Sequence, residues 1–181
     1  MKRKCVFLDR DGTIAFDVPY CSRTEDFHLI PGAAEAIRTL NQHGFLVVLV
    51  TNQSGISRGY FTESTLIEIH QKMEQLLSDS GARIDAIYFC PHHPEDGCKC
   101  RKPNIGMIDQ AMKDFALELS GSYVIGDAPS DIELAHAIGC KSVLIRDAPP
   151  QAIEGKQIPT HVAATVRDAV HWMIQGESSP S

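Results

Sequence analysis

The chain has 181 residues, of which 43% are hydrophobic and 22% charged, and its net charge is −6. This fits one domain with a substantial core and argues against a dedicated nucleic-acid binder, because phosphate backbones reward Lys and Arg. No apolar run approaches the roughly 18 residues that span a membrane. The apolar run Cys5 to Leu8 after the basic start Met1-Lys2-Arg3-Lys4 is too short for a secretory signal, so the cytoplasm is the expected location.

Short apolar runs alternate with helical patterns, which predicts an α/β fold: a Rossmann-like parallel sheet with helices on both faces. In chain order, the strand candidates are Cys5–Asp9, Phe45–Thr51, Ala86–Cys90, Tyr123–Asp127 and Lys141–Arg146. They are mostly continuous apolar runs, as expected of strands covered on both sides. The first helix candidate, Pro31 to His43, places Ala33, Ala36, Ile37 and Leu40 on one face and stops at Gly44. Glu63 to Ser78 repeats Leu66, Ile69, Met73, Leu76 and Leu77, with Thr62 as its cap. Ile108, Ala111, Met112 and Phe115 mark a third face, Asp131 to Ile138 a fourth helix, and Val166 to Gln175 a fifth, opened by a Thr165/Asp168 capping box. The expected organisation is a single domain over 1–175 followed by a flexible tail over 176–181.

In such a sheet a ligand lies beyond the carboxyl ends of the strands. The first strand ends in Asp9-Arg10-Asp11-Gly12-Thr13, the second in Thr51-Asn52-Gln53-Ser54-Gly55, and the fourth in Gly126-Asp127 with Asp131 one turn on. Arg101-Lys102-Pro103 comes between the second and fourth. These types have complementary tasks in phosphoryl transfer. A carboxylate can attack phosphorus, and paired carboxylates can hold Mg2+. A Lys and a hydroxyl can stabilise the equatorial oxygens. A second acid can protonate the leaving alkoxide and then activate water. Asp131 has a plainer reading as a first-turn carboxylate favoured by the helix dipole.

These four segments, in this order, resemble the four motifs of the haloacid dehalogenase-like phosphatases. The resemblance implies that Asp9 is the nucleophile and forms an aspartyl-phosphate, and that Asp11 is the general acid and base. It also implies that Asp9, the backbone carbonyl of Asp11, and Asp127 hold Mg2+, while Thr51 and Lys102 stabilise the transferring group. Asp131 is expected to orient the metal site through water or Lys102. A receiver-like phosphorylation switch shares the Asp, Thr and Lys but has no use for an acid at Asp11 or for a zinc loop.

Cys90-Pro91-His92-His93 and Cys98-Lys99-Cys100 form a C-x-H-x5-C-x-C array. Three thiolates and one imidazole satisfy a closed tetrahedral Zn2+ site, with disulfides among the same cysteines as the alternative. His92 is preferred over His93, since ligands at alternate positions curl the chain around one point. Zinc anchoring at Cys100 would fix the start of the Arg101-Lys102 segment.

With this zinc loop, spanning 90–100, the chain resembles the branch of histidinol-phosphate and heptose bisphosphate phosphatases. The resemblance implies a small phosphorylated sugar as substrate, first the 7-phosphate of D-glycero-D-manno-heptose 1,7-bisphosphate, with histidinol phosphate or another small phosphate ester as alternatives. It also assigns substrate contact to Asp17, Val18, Pro19, Tyr20, Asn52, Gln53, Ser54 and Arg101. Two departures stand out: Ala128 occupies the position where the heptose enzymes typically carry Lys, and the zinc loop is short. The gaps between motifs leave no room for a large cap domain. A monomer with no nucleic-acid or membrane partner is the expected state.

Overall fold

The computed structural model describes residues 2–146 and 157–177. Six strands form one parallel sheet: β1 (Cys5–Leu8), β2 (Leu46–Asn52), β3 (Ala86–Cys90), β4 (Tyr123–Gly126), β5 (Lys141–Ile145) and β6 (His161–Ala163). Their order is β3-β2-β1-β4-β5-β6. The chain steps outward from β1 to β3, returns to the other side of β1, and steps outward again from β4. The reversal between β1 and β4 opens a crevice beyond the strand ends.

Alternation along each strand feeds two cores. Val6, Leu8, Val47, Leu49 and Ile125 pack with Ile37 and Leu40 of α1 (Ala33–Gln42), Ile69 and Met73 of α2 (Glu63–Asp79), and Val170 and Met173 of α5 (Val166–Glu177). Cys5, Phe7, Val48, Val50 and Val124 pack with Met107, Ile108 and Ala111 of α3 (Gly106–Asp114) and with Leu134 and Ala135 of α4 (Pro129–Ile138). Each fully buried aliphatic side chain contributes about 1.5–3 kcal/mol. Covering both faces is what makes the strands read as unbroken apolar runs.

Several boundaries differ from the sequence reading. β6 was not expected: it has three residues and begins with His161, too short for a periodic signal. It is introduced by a polar clasp, in which Ser142 N donates to Thr160 Oγ1 at 3.0 Å and Thr160 N to Ser142 Oγ at 3.1 Å. β1 stops at Leu8, because the amides of Ile14 and Ala15 turn back onto the Arg10 carbonyl and leave Asp9 to open the loop. α3 starts at Gly106, which puts Met107 in the core and leaves Met112 exposed; Phe115 has extended backbone just past its end. α5 continues to Glu177, two residues into the expected tail, and 178–181 lie outside the described residues.

Thr62 caps α2 as expected, its Oγ1 accepting from Thr65 N at 3.1 Å. Between β1 and β2 lie only loops, a short 3-10 turn at Thr24–Asp26 and α1, and between β2 and β3 only loops and α2, so the described residues carry no large cap. No helix among them is long and apolar enough to cross a membrane.

Candidate active site

Three strand ends and one loop meet at the crevice. β1 delivers Asp9 and β4 delivers Asp127, while the first turn of α4 carries Asp131. The carboxylates of Asp9, Asp127 and Asp131 lie within 4.8 Å of one another. Lys102 enters from the loop before α3, and its buried ammonium donates to Asp9 Oδ1 at 2.8 Å and to Asp131 Oδ1 at 2.7 Å. Burial alone would push the ammonium's pKa down, but the two carboxylates outweigh it and hold it above its ordinary value. Asp131, fully buried, also accepts from Ala128 N through Oδ2 at 3.1 Å, so it caps α4 and holds Lys102 at once.

One ammonium faces three carboxylates, which leaves excess negative charge. Burial, then Asp9 and Asp131, push Asp127 up to about 7. A divalent cation among these oxygens would reverse that shift, so the donor set fits Mg2+. Two glycines make the crowding possible. A Cβ on Gly12 would stand 2.2 Å from Asp127 Oδ2, and one on Gly126 2.2 Å from Asp131 Cγ. Gly12 also has φ +75°, a conformation that side chains disfavour.

Asp11 belongs to a different cluster. Its carboxylate receives Arg10 Nε at 3.1 Å, Arg10 Nη2 at 2.9 Å and Gln53 Nε2 at 2.9 Å. Gln53 Nε2 also donates to Thr51 Oγ1 at 2.9 Å. Burial raises the Asp11 pKa, opposed by the Arg10 charge and reinforced by Asp9. Arg10 itself is buried, with its guanidinium 6.0 Å over the Phe27 ring and Nη1 donating to His70 Nε2 at 3.2 Å.

Asp11 lines an open pocket of about 260 Å3 with Asp17, Val18, Pro19 and Tyr20 on one side and Asn52, Gln53 and Ser54 on the other. The exposed ring of Tyr20 meets Tyr60 at 4.5 Å between centroids. Asn52 lines this pocket, yet its amide is engaged with Lys102: Nδ2 donates to Lys102 O at 3.3 Å and Oδ1 accepts from Lys102 N at 3.0 Å. Arg101 has a buried Nη1 without a hydrogen-bond partner, an open donor next to Lys102 in sequence.

The cysteine array also closes on one point. Cys90, His92, Cys98 and Cys100 offer ligand atoms within 4.8 Å of one another. Their Sγ atoms are 3.1–3.6 Å apart and His92 Nδ1 is 3.1 Å from Cys100 Sγ. A tetrahedral zinc with bonds near 2.3 Å sets its sulfurs about 3.7 Å apart, whereas a disulfide needs about 2 Å. All six cysteines are free. The set therefore fits Zn2+ and not a disulfide. His93 is outside the cluster, its ring Nδ1 accepting from Glu95 N at 3.4 Å.

Two family models match the chain: one described as haloacid dehalogenase-like hydrolase over 6–86, the other as HAD-hydrolase-like over 99–169. A relative from Haemophilus ducreyi, D-glycero-beta-D-manno-heptose-1,7-bisphosphate 7-phosphatase, is 40% identical over 96% of this chain and 100% of its own. A probable D-glycero-D-manno-heptose-1,7-bisphosphate 7-phosphatase from Thermoplasma volcanium is 43% identical over 79% of this chain and 99% of its own. The crystal structure of D,D-heptose 1,7-bisphosphate phosphatase from B. bronchiseptica, complexed with magnesium and phosphate, superposes with a TM-score of 0.87 at 35% identity, covering 96% of this chain and 99% of that one. The chain belongs to the haloacid dehalogenase-like hydrolases.

Within these hydrolases it is a phosphatase of the heptose bisphosphate branch. Ala128, the departure from that branch, sits at the N-terminus of α4 with its amide held by Asp131 and no cation beyond its Cβ. Sequence reasoning missed the place of Arg10 beside Asp11 and its buried contact with His70. A signal for His70 existed: it shares a helical face with Leu66, Met73 and Leu77, where a polar side chain needs a partner.

Proposed function

We propose that the chain hydrolyses the 7-phosphate of D-glycero-D-manno-heptose 1,7-bisphosphate through an aspartyl-phosphate on Asp9. The observation that carries this reading is the division of the site into two carboxylate groups. Asp9, Asp127 and Asp131 share one cluster with Lys102, while Asp11 stands apart in the pocket with Arg10 and Gln53.

The steps follow from that division. A carboxylate oxygen of Asp9 attacks phosphorus, and the bond from phosphorus to the sugar oxygen breaks. Asp11, whose raised pKa favours the protonated form, gives its proton to the departing alkoxide. Water then attacks the phosphoryl group, Asp11 takes a proton from it, and Asp9 is released with inorganic phosphate. Lys102 and Thr51 stabilise the equatorial oxygens. Asp9, the backbone carbonyl of Asp11, and Asp127 would hold Mg2+, which neutralises phosphate charge and orients the group.

The pocket formed by Asp17 to Tyr20 and Asn52 to Ser54 suits the sugar, and the open Nη1 of Arg101 suits a second anionic group. Zn2+ on Cys90, His92, Cys98 and Cys100 would hold Arg101 and Lys102 in place from outside the reaction. A single catalytic unit, monomeric and cytoplasmic, completes the proposal.

A phosphate-release panel tests it, with both anomers of the heptose 1,7-bisphosphate, histidinol phosphate and common hexose phosphates, in Mg2+. The heptose bisphosphate should give the highest kcat/KM. A preference for histidinol phosphate would overturn the substrate, and full activity in Asp9→Asn would overturn the nucleophile.

A further inference from the structure

We propose that His70 is a positioning residue for leaving-group protonation: through Arg10 it fixes where the Asp11 carboxyl can point. The inference rests on the reading of Asp11 as general acid and concerns a group outside the reacting atoms.

The geometry forms one chain. His70 lies on the buried face of α2, 5% exposed, with its ring edge-on to Phe89 at 6.3 Å. A guanidinium has donors only, so His70 Nε2 is the acceptor of the 3.2 Å contact from Arg10 Nη1. The ring is therefore neutral, in agreement with burial and the adjacent Arg10 charge pushing it down to about 3.

This leaves Nε and Nη2 of Arg10 for Asp11, the planar fork that fixes a carboxyl group in direction as well as distance. Arg10 has no slack: it is 1% exposed and boxed between Phe27 and α2. A cation with an unoccupied Nη1 at this depth would turn to find a partner, and Asp11 would turn with it.

The reaction gives a readout that structural damage does not imitate. When the bond from phosphorus to a sugar oxygen breaks, the alkoxide needs the Asp11 proton. When the bond to a nitrophenolate breaks, the leaving group departs as an anion and needs none. A displaced Asp11 therefore slows the first step for sugar phosphates and spares it for aryl phosphates. A displacement near 1 Å is enough to cost about 100-fold.

The test is His70→Leu, which keeps bulk and removes the acceptor, and His70→Gln, which restores an acceptor. Both are measured as folded holoenzymes in Mg2+. Single-turnover release of the sugar is followed with the best substrate of the panel, and the first-turnover nitrophenolate burst with p-nitrophenyl phosphate. His70→Leu should lose about tenfold or more on the sugar phosphate and less than threefold on the burst, and His70→Gln should recover most of the loss. Equal losses on both substrates, or no loss in His70→Leu, would overturn the inference. Should His70→Leu fail to fold, His70→Gln against His70→Asn, whose shorter amide falls short of Arg10, makes the same comparison. An Asp11→Asn control separates the two ideas: if it lacks the leaving-group difference, the assignment of Asp11 fails and not the role of His70 alone.

Discussion

Asp127→Asn should make the metal-free protein more stable while removing its activity. Three carboxylates and one ammonium share the crevice, and like charges 4.8 Å apart repel by about 3.5 kcal/mol at an effective dielectric near 20. Asp127 escapes part of this by holding a proton, with its pKa raised from 3.8 to about 7. Carried over in full, that shift would cost about 4 kcal/mol. Asp127 is only half-buried, and solvent screening reduces the figure to about 2 kcal/mol. The sign follows from linkage: a carboxylate whose folded pKa lies above its unfolded one weakens the fold as pH rises between the two values. The penalty is therefore absent below about pH 4, grows towards pH 7 and is complete above it.

The assay is urea unfolding of both proteins in EDTA at pH 8 and pH 5, repeated at pH 8 in saturating Mg2+. The variant should lead by about 2 kcal/mol at pH 8 in EDTA and by less than half of that at pH 5. Mg2+ should restore the lead to the parent, since a ligand at 100 times its Kd adds about 2.7 kcal/mol to the form that binds it. A variant no more stable than the parent in EDTA at pH 8, or a lead independent of pH, would refute the charge argument.

Three other outcomes are expected. Asn52→Leu removes both hydrogen bonds that hold the Lys102 backbone, costing about 2 kcal/mol, and should lower kcat with KM nearly unchanged; a raised KM at constant kcat would mean that Asn52 acts on the substrate instead. Removing zinc with Mg2+ kept saturating should abolish most of the activity of a still-folded chain, read by circular dichroism and phosphate release, and undiminished turnover would exclude the support given to Arg101 and Lys102. His70, depressed to about 3, stays neutral when folded and binds a proton when unfolded, so its contribution is complete above about pH 6.5 and falls by about 1.4 kcal/mol per unit below that. Between pH 7.5 and 5 the unfolding free energy from urea titrations should therefore drop by about 2 kcal/mol more in the parent than in His70→Gln, and parallel drops would contradict a neutral buried ring.

What could be read ahead of the structure was whatever has a local cause. Apolar runs announced five of the six strands, and polar residues at their carboxyl ends announced the crevice, because a parallel sheet gathers those ends on one edge. β6 escaped because a strand of three residues held by a Thr160–Ser142 clasp leaves no periodicity to read. Within the site, the residue types and the segments that carry them were legible, but the contacts between them were not. Arg10 lies between two carboxylates with no local sign of burial, and it is Phe27 and His70 of α2 that enclose it. Asn52, expected to face the substrate, lines the pocket and also holds the backbone of Lys102, fifty residues away, a contact that no local pattern announces.

The placement of Cys90 gives the zinc cluster a wider reach than the loop it closes. Cys90 pairs with Asn52 across β3 and β2, and its carbonyl accepts from Gln53 N at 2.7 Å. At the other end of the cluster, Cys100 leads directly into Arg101 and Lys102. One ion would thus tie the strand that aims at Asp11 to the loop that reaches Asp9. Partial loss of zinc then divides a population instead of weakening each member. Activity should track the fraction of chains loaded, in a straight line, with KM constant, as though working copies were being switched off one at a time.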